Sequence, residues 1–256
     1  MKNTLREKMH RAERTLGTFL SIASPSVVEC LAFSGLDYII IDCEHTSNGP
    51  KEVLECSRAA RLYGTTPLVR VQDISRASIL KPLDAGAMGL IIPNVNCVEE
   101  AEEIVRHGKY APIGSRGIAP SAGTDYWMSD FAQLGIDGYL EMSNREIMLI
   151  PQCETLGALN DLEKIVALDG VDGIFVGPFD LSAAMGIPGQ FQHPKFKKAL
   201  RHIQAVCASA GKPSIIYAGA EDAVREGFDM GYNSVSYSID ALMLSAAYKD
   251  AVNSLK

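Results

Sequence analysis

The apolar run YIIID, residues 38–42, ends in charge: Asp42, Glu44 and His45 fall within four positions of one another. Comparable runs end at Arg70 and Gln72, at Pro93 and Asn94, at Gln152 and Glu154, at Asp180, at Tyr217 and at Tyr237. A single polar residue at such a place is where a strand meets water. A set of them on strands that converge is a site. Glu154 and Asp180 each close a run that reads as buried, so each needs a partner or a metal ion to offset its lost hydration. Two carboxylates, with positions left for water and substrate oxygens, suit a hard divalent cation such as Mg2+ or Mn2+; Co2+ is a further candidate. An arginine nearby would offset charge developing on an oxygen, and a neutral histidine would carry the proton.

Other chemistries find no support. A Schiff-base lysine belongs at a strand end, and none of the strand-like runs contains Lys. The GxSxG nucleophile elbow, the HExxH zinc motif and CxxC pairs are all absent.

Eight runs read as strands: 15–22, 38–42, 67–71, 89–94, 147–154, 173–180, 213–218 and 233–239. Between them lie helical patterns, among them 50–64, 75–86, 98–108, 195–211 and 220–231, with a last helix near 240–252 that would cover the barrel floor or meet a partner. Strands apolar throughout and joined by helices imply a parallel sheet buried on both faces. Eight such units in this length fit a single α/β (β/α)8 TIM barrel, in which polar strand ends gather on one open face. No Gly-rich dinucleotide fingerprint follows the first strand, which weighs against a doubly wound sheet. The stretch from about 108 to 146 breaks the rhythm and reads as a long loop, either a surface excursion with one or two short helices or a wall of the site.

The 256 residues, 47% hydrophobic, suffice for one large core. A net charge of -7 without long like-charge runs argues against nucleic-acid or anionic-membrane partners. Six cysteines without pairing motifs read as buried free thiols. The N-terminus is too polar for a signal-peptide core, and no apolar stretch is long enough to span a membrane. A soluble cytoplasmic protein is therefore expected.

The pieces FSGLDYIIIDCEH (33–45), PLVRV (67–71), LDAGAMGLIIPNV (83–95), YAPIGSRG (110–117), PQCET (151–155) and VDGIFVGPFDLSAAMGIPG (171–189) together resemble the class II, metal-dependent pyruvate aldolases. These include the 4-hydroxy-2-oxoheptanedioate and 2-dehydro-3-deoxyglucarate aldolases. The resemblance runs from about Leu16 to Leu244, and GPFDLSAAMG is its strongest piece. It implies a phosphoenolpyruvate/pyruvate-type barrel over residues 1–256, with a C-terminal helix, 240–256, exchanged between neighbours in a hexamer built as a trimer of dimers. Reversible cleavage of a 4-hydroxy-2-oxo acid to pyruvate and an aldehyde, through a metal-bound pyruvate enolate, is the implied reaction. Glu154 and Asp180 match the family's metal-binding carboxylates, Arg70 the arginine on the enolate oxygen, and His45 the proton carrier, with Asp42 as its partner. Asp84 matches a carboxylate near the site; at the end of a helix before the fourth strand, it is expected to support a neighbouring subunit's site. Gln152 and the backbone at Gly177 and Phe179 would hold the pyruvoyl group.

Three positions depart from the pattern: Met88, Phe179 and Tyr237, each expected on the pocket or its rim. The same scaffold also implies an alternative reaction, citrate-synthase-like condensation of oxaloacetate with acetyl-CoA in siderophore assembly. A catalytically silent barrel acting in an assembly is the reading of another class, against which stand Arg70, Glu154, Asp180 and His45.

Overall fold

The computed structural model describes residues 2–256. Its strands are β1 (Thr15–Leu20), β2 (Tyr38–Asp42), β3 (Thr66–Arg70), β4 (Gly89–Ile92), β5 (Met148–Cys153), β6 (Ile174–Val176), β7 (Ser214–Ala218) and β8 (Ser234–Ile239). All neighbours pair in parallel, and β8 returns to β1, closing the barrel. The helices are α1 (Thr4–His10), α2 (Pro25–Phe33), α3 (Pro50–Leu62), α4 (Arg76–Asp84), α5 (Val98–Gly108), α6 (Asp130–Glu146), α7 (Leu156–Asn160), α8 (Leu162–Ala167), α9 (Pro178–Ala184), α10 (Pro194–Ser209), α11 (Glu221–Asp229) and α12 (Asp240–Leu255). None is long and apolar enough to cross a membrane among the described residues.

Alternation along the strands divides the core in two, since successive side chains point to opposite faces. Ile39, Ile41, Val69, Leu90, Ile92, Leu149 and Val176 face the helices. Phe19, Tyr38, Ile40, Leu68, Ile91, Met148, Ile150, Phe175 and Ile215 fill the barrel interior. Gly17 has to be glycine for this packing: a Cβ there would stand 2.3 Å from the Tyr38 ring. Tyr38 in turn accepts a hydrogen bond from the Ser234 hydroxyl at 2.9 Å.

The floor is closed by α1. Leu5 and Met9 join the interior cluster, and the Asn3 side chain donates to the carbonyls of Met88 and Glu146 at 3.0 and 2.9 Å. The last helix, a candidate for the floor by sequence, does not cover it: α12 is exposed beyond its first two residues. The polar N-terminal segment does that work because its apolar residues, four apart, lie on one helix face. Met88 is correspondingly a floor residue, buried just before β4, and does not reach the open rim.

Two further expectations change. The stretch 108–146 contains a short 3-10 segment, Ala122–Trp127, and the 17-residue α6, which breaks at Gly135 with φ +69. The sixth strand ends at Val176, and residues 178–184 are helical, so Asp180 stands in the first turn of α9. Pro178 at the first helical position fits this start, because its fixed φ suits a helix and its missing N–H would go unpaired there. All six thiols are free; four are buried, Cys97 is half-buried and Cys30 is exposed.

Beneath β5 and β6 the Lys109 ammonium meets Asp172 at 2.7 Å and donates to the carbonyls of Asn144 and Ile147. Burial pushes Asp172 up and Lys109 down, each opposed by the charge of the other. Removing one member strands a buried charge, whereas removing both does not. Lys109→Met or Asp172→Leu alone is therefore expected to cost about 3–5 kcal/mol. The double variant should unfold close to the wild-type midpoint, as thermal unfolding followed by circular dichroism will show.

Candidate active site

Asp42 and Arg70 are register partners at the ends of β2 and β3. The Arg70 guanidinium grips Asp42 bidentately, Nε to Oδ1 at 2.9 Å and Nη2 to Oδ2 at 2.7 Å. Planar forks of this kind fix orientation as well as charge. The chain after β2 folds back around the same carboxylate. The backbone N–H groups of Glu44 and His45 donate to Asp42 Oδ1 at 3.1 and 3.4 Å, and the Asn48 amide donates to the Asp42 carbonyl at 2.9 Å. This turn brings Glu44 over the third arm of the guanidinium, with Glu44 Oε2 3.2 Å from Arg70 Nη1.

From Glu44 the network crosses to β4 and β5. The Asn94 side-chain amide donates to Glu44 Oε1 at 3.2 Å, and the Asn94 backbone N–H donates to Glu154 Oε1 at 2.8 Å. Asn94 reaches both because its backbone is left-handed, φ +56, a conformation Asn tolerates better than most residues. The Gln152 amide donates to the other Glu154 oxygen. Six residues from four consecutive strand ends thus form one chain of contacts: Asp42, Arg70, Glu44, Asn94, Glu154 and Gln152. Behind Arg70 lies Phe19, whose ring centroid is 4.6 Å from the guanidinium carbon.

Glu154 is 4% exposed and has no ion-pair partner among the described residues. Burial pushes its carboxyl up, the bonds from Asn94 and Gln152 pull it down, and the charges of Asp180 and Glu44 push it further up. Glu44 is likewise raised by burial, against the pull of Arg70. Asp180 is exposed and lines a cavity of ≈ 350 Å³ together with Phe19, His45, Arg70, Gln152, Gly177, Phe179 and Tyr217. So only one of the two carboxylates bears the desolvation that both were expected to bear. The reason is the early start of α9, which lifts Asp180 off the strand.

Among the described residues no group of three or more His, Cys, Asp and Glu side chains is arranged to hold a metal ion. The residues present fit a cation that takes two ligands from protein and the rest from water and substrate. Glu154 is a buried carboxylate without a counter-charge, and Asp180 is near enough for its charge to raise it. The space beside Glu154 is kept open by Gly177, where a Cβ would lie 2.6 Å from Glu154 Oε2 and 2.8 Å from Gln152 Nε2. Gly177→Ala is expected to keep its fold, since φ is an ordinary -92, and to lose about 100-fold in turnover by displacing that carboxylate. Steady-state kinetics beside a circular dichroism spectrum will separate the two.

Several assignments shift. His45 does not pair with Asp42 through its ring: Asp42 is committed to Arg70, and His45 Nε2 stands 3.7 Å from Glu44 Oε2, its side chain 68% exposed. Asp84 keeps its expected place at the C-terminal end of α4, outside this chain's own cavity, and pairs with Arg116 at 2.9 Å. Tyr237 does not line the cavity, while Phe179, Tyr217 and Ile239 do. Phe19, unremarked in the sequence, was legible as an inward position of β1. Glu44 links Arg70 to Asn94.

Comparison with known proteins fits this geometry. Residues 15–246 match the family described as HpcH/HpaI aldolase/citrate lyase. The chain belongs to that family. As an HpcH/HpaI member it is an enzyme of carbon–carbon bond cleavage and formation. A hydroxypyruvate/pyruvate aldolase from Sagittula stellata is 37% identical over 247 residues, 96% of this chain and 95% of that one. A solved HpcH/HpaI family structure from Burkholderia cenocepacia J2315 superposes with a TM-score of 0.91 at 30% identity, covering 99% of both chains. The structure of the citrate synthase SbnG superposes with a TM-score of 0.87 at 26% identity, covering 99% of this chain and 97% of that one.

Proposed function

We propose that this HpcH/HpaI member is a divalent-metal-dependent aldolase that reversibly cleaves a 4-hydroxy-2-oxo acid to pyruvate and an aldehyde. The observation that carries the reading is the chain of contacts from Asp42 through Arg70, Glu44 and Asn94 to the buried Glu154, with Asp180 facing the same cavity. The 37% identity to an aldolase over nearly the whole chain supports it.

In the cleavage direction His45, on the exposed side of the cavity, takes the proton of the substrate's 4-hydroxyl. The freed electron pair forms the aldehyde carbonyl as the C3–C4 bond breaks, and the bonding pair moves through C2 onto the 2-oxo oxygen. Arg70 has N–H groups beyond the three that hold Asp42 and Glu44, and these steady the enolate oxygen. His45 then returns the proton to C3, giving pyruvate. Gln152 and the backbone at Gly177 and Phe179 orient the pyruvoyl group. Glu154 and Asp180 would hold the divalent cation, Mg2+, Mn2+ or Co2+, which when bound would supply Lewis-acid polarisation of the 2-oxo group.

The test measures pyruvate released from 4-hydroxy-2-oxo acids through a coupled dehydrogenase, with and without chelator, beside oxaloacetate with acetyl-CoA. Metal-restored pyruvate release is expected. Turnover indifferent to chelator would remove the metal, and citrate formation without aldol cleavage would select the condensing reaction instead.

The assembly is part of the proposal. Along α12, Leu244, Tyr248 and Val252 recur every four residues and are 52%, 69% and 47% exposed. An apolar stripe on a terminal helix fits exchange of residues 240–256 with a neighbour, and dimers of this kind would build the hexamer. Light scattering should give an oligomer for the wild type, and Leu244→Asp with Tyr248→Asp should shift it to smaller species.

A further inference from the structure

We propose that the aldehyde taken by this enzyme carries an apolar chain or ring, held in a side pocket that adjoins the catalytic cavity along Phe179. The proposal rests on the aldolase reading and names its second substrate. The pocket measures ≈ 320 Å³ and lies between the start of α9 and the helices α10 and α11. It shares Pro178, Phe179 and Tyr217 with the catalytic cavity, so the two lie side by side along one aromatic wall. Phe179 is the partition. The residue is 57% exposed; its ring meets Phe191 edge-on at 4.9 Å and lies 6.4 Å from the Tyr217 ring.

The lining decides the chemistry of the occupant. Phe191, Phe196, Leu200, Ile216, Ala223 and Met230 supply apolar surface. The charged residues of the wall are Lys197 on α10 and Glu226 on α11, and these pair with each other. A carboxylate at the far end of the aldehyde would therefore find no free cation, while a hydrocarbon would replace water against apolar walls. In the catalytic cavity the polar groups of Arg70, His45 and Asp180 serve the 2-oxo acid. The preferred product is thus amphiphilic, with a polar pyruvoyl end and an apolar tail. In its formation the pyruvate methyl loses a proton, the enolate carbon bonds to the aldehyde carbon, and the aldehyde oxygen takes up the proton.

The experiment uses the full chain with Mn2+ and pyruvate, and compares kcat/KM for propanal, hexanal, phenylacetaldehyde and succinate semialdehyde. Hexanal or phenylacetaldehyde is expected to exceed both propanal and succinate semialdehyde by about tenfold or more. Ala223→Phe and Ala220→Phe enter the pocket from solvent-exposed positions of the α11 region, and each should reduce that preference by about tenfold. Exchange of the pyruvate methyl protons in deuterated water, which needs no aldehyde, is followed in parallel. If exchange occurs but propanal or succinate semialdehyde is preferred, or both variants keep the apolar preference, the pocket assignment is overturned and the aldolase reading stands. Without exchange both fall.

Discussion

Arg70→Lys is expected to lower kcat/KM for pyruvate release by about 100- to 1000-fold while costing less stability than Arg70→Ala. The lysine keeps the positive charge but not the planar fork, so it can neutralise one of Asp42 and Glu44 without holding the geometry of both. Arg70→Ala should lose as much rate and should also destabilise, by about 3–5 kcal/mol, because Asp42 and Glu44 lose their cation with side chains only 8% and 13% exposed. Rate and fold are separated by a cycle. Adding Asp42→Asn to Arg70→Ala removes one stranded charge and should recover part of the melting temperature, but none of the turnover. The pair of measurements also tests the order of the network. If Arg70 served only to hold the ends of β2 and β3 together, the double variant would regain activity with stability. Full activity in Arg70→Lys would end the proposed role on the enolate oxygen.

The barrel was legible because its strands are short, β-branched and apolar on both faces, and because a parallel sheet needs helices between them. What the sequence hid has particular causes. Helix α6 carries Gly135 and Gly138, which weaken any helical pattern, so residues 130–146 read as loop or at most a short helix. Asp180 was assigned to a strand although Pro178 announces a helix start two residues earlier. Of the candidate site residues, Asp42, Arg70, Gln152 and Glu154 stand at or just past strand ends, where the fold class puts polar groups. Their pairing was not found, since Glu44, Arg70, Asn94 and Glu154 are separated by up to 110 positions in the chain and meet only when the barrel closes. His45 beside Asp42 looked like a dyad in one dimension. In three dimensions the adjacent strand offers Asp42 a stronger partner, a bidentate guanidinium in register with it.

The second large effect is expected at Glu154. In chelator, Glu154→Gln should melt no lower than the wild type. The substitution removes a buried negative charge that stands without a cation and faces the charges of Asp180 and Glu44. Its hydrogen bonds survive. The amide oxygen can accept the Asn94 N–H, and the amide nitrogen can donate to Gln152 Oε1, which is buried and unpaired, once the Gln152 amide turns over. With saturating Mn2+ the order should reverse. A cation at about 100 times its dissociation constant stabilises the wild type by about 2.7 kcal/mol, and the variant, short of one of two protein ligands, should show little shift. Turnover should fall about 1000-fold or more, the loss of a polarising charge worth several kcal/mol to the transition state. Differential scanning fluorimetry with and without Mn2+, beside pyruvate release, reads all three effects. The reversal is the informative part. A purely structural carboxylate would make the variant less stable in chelator and equally so in metal. A variant that retained both its Mn2+-dependent shift and its turnover would remove Glu154 from the metal site.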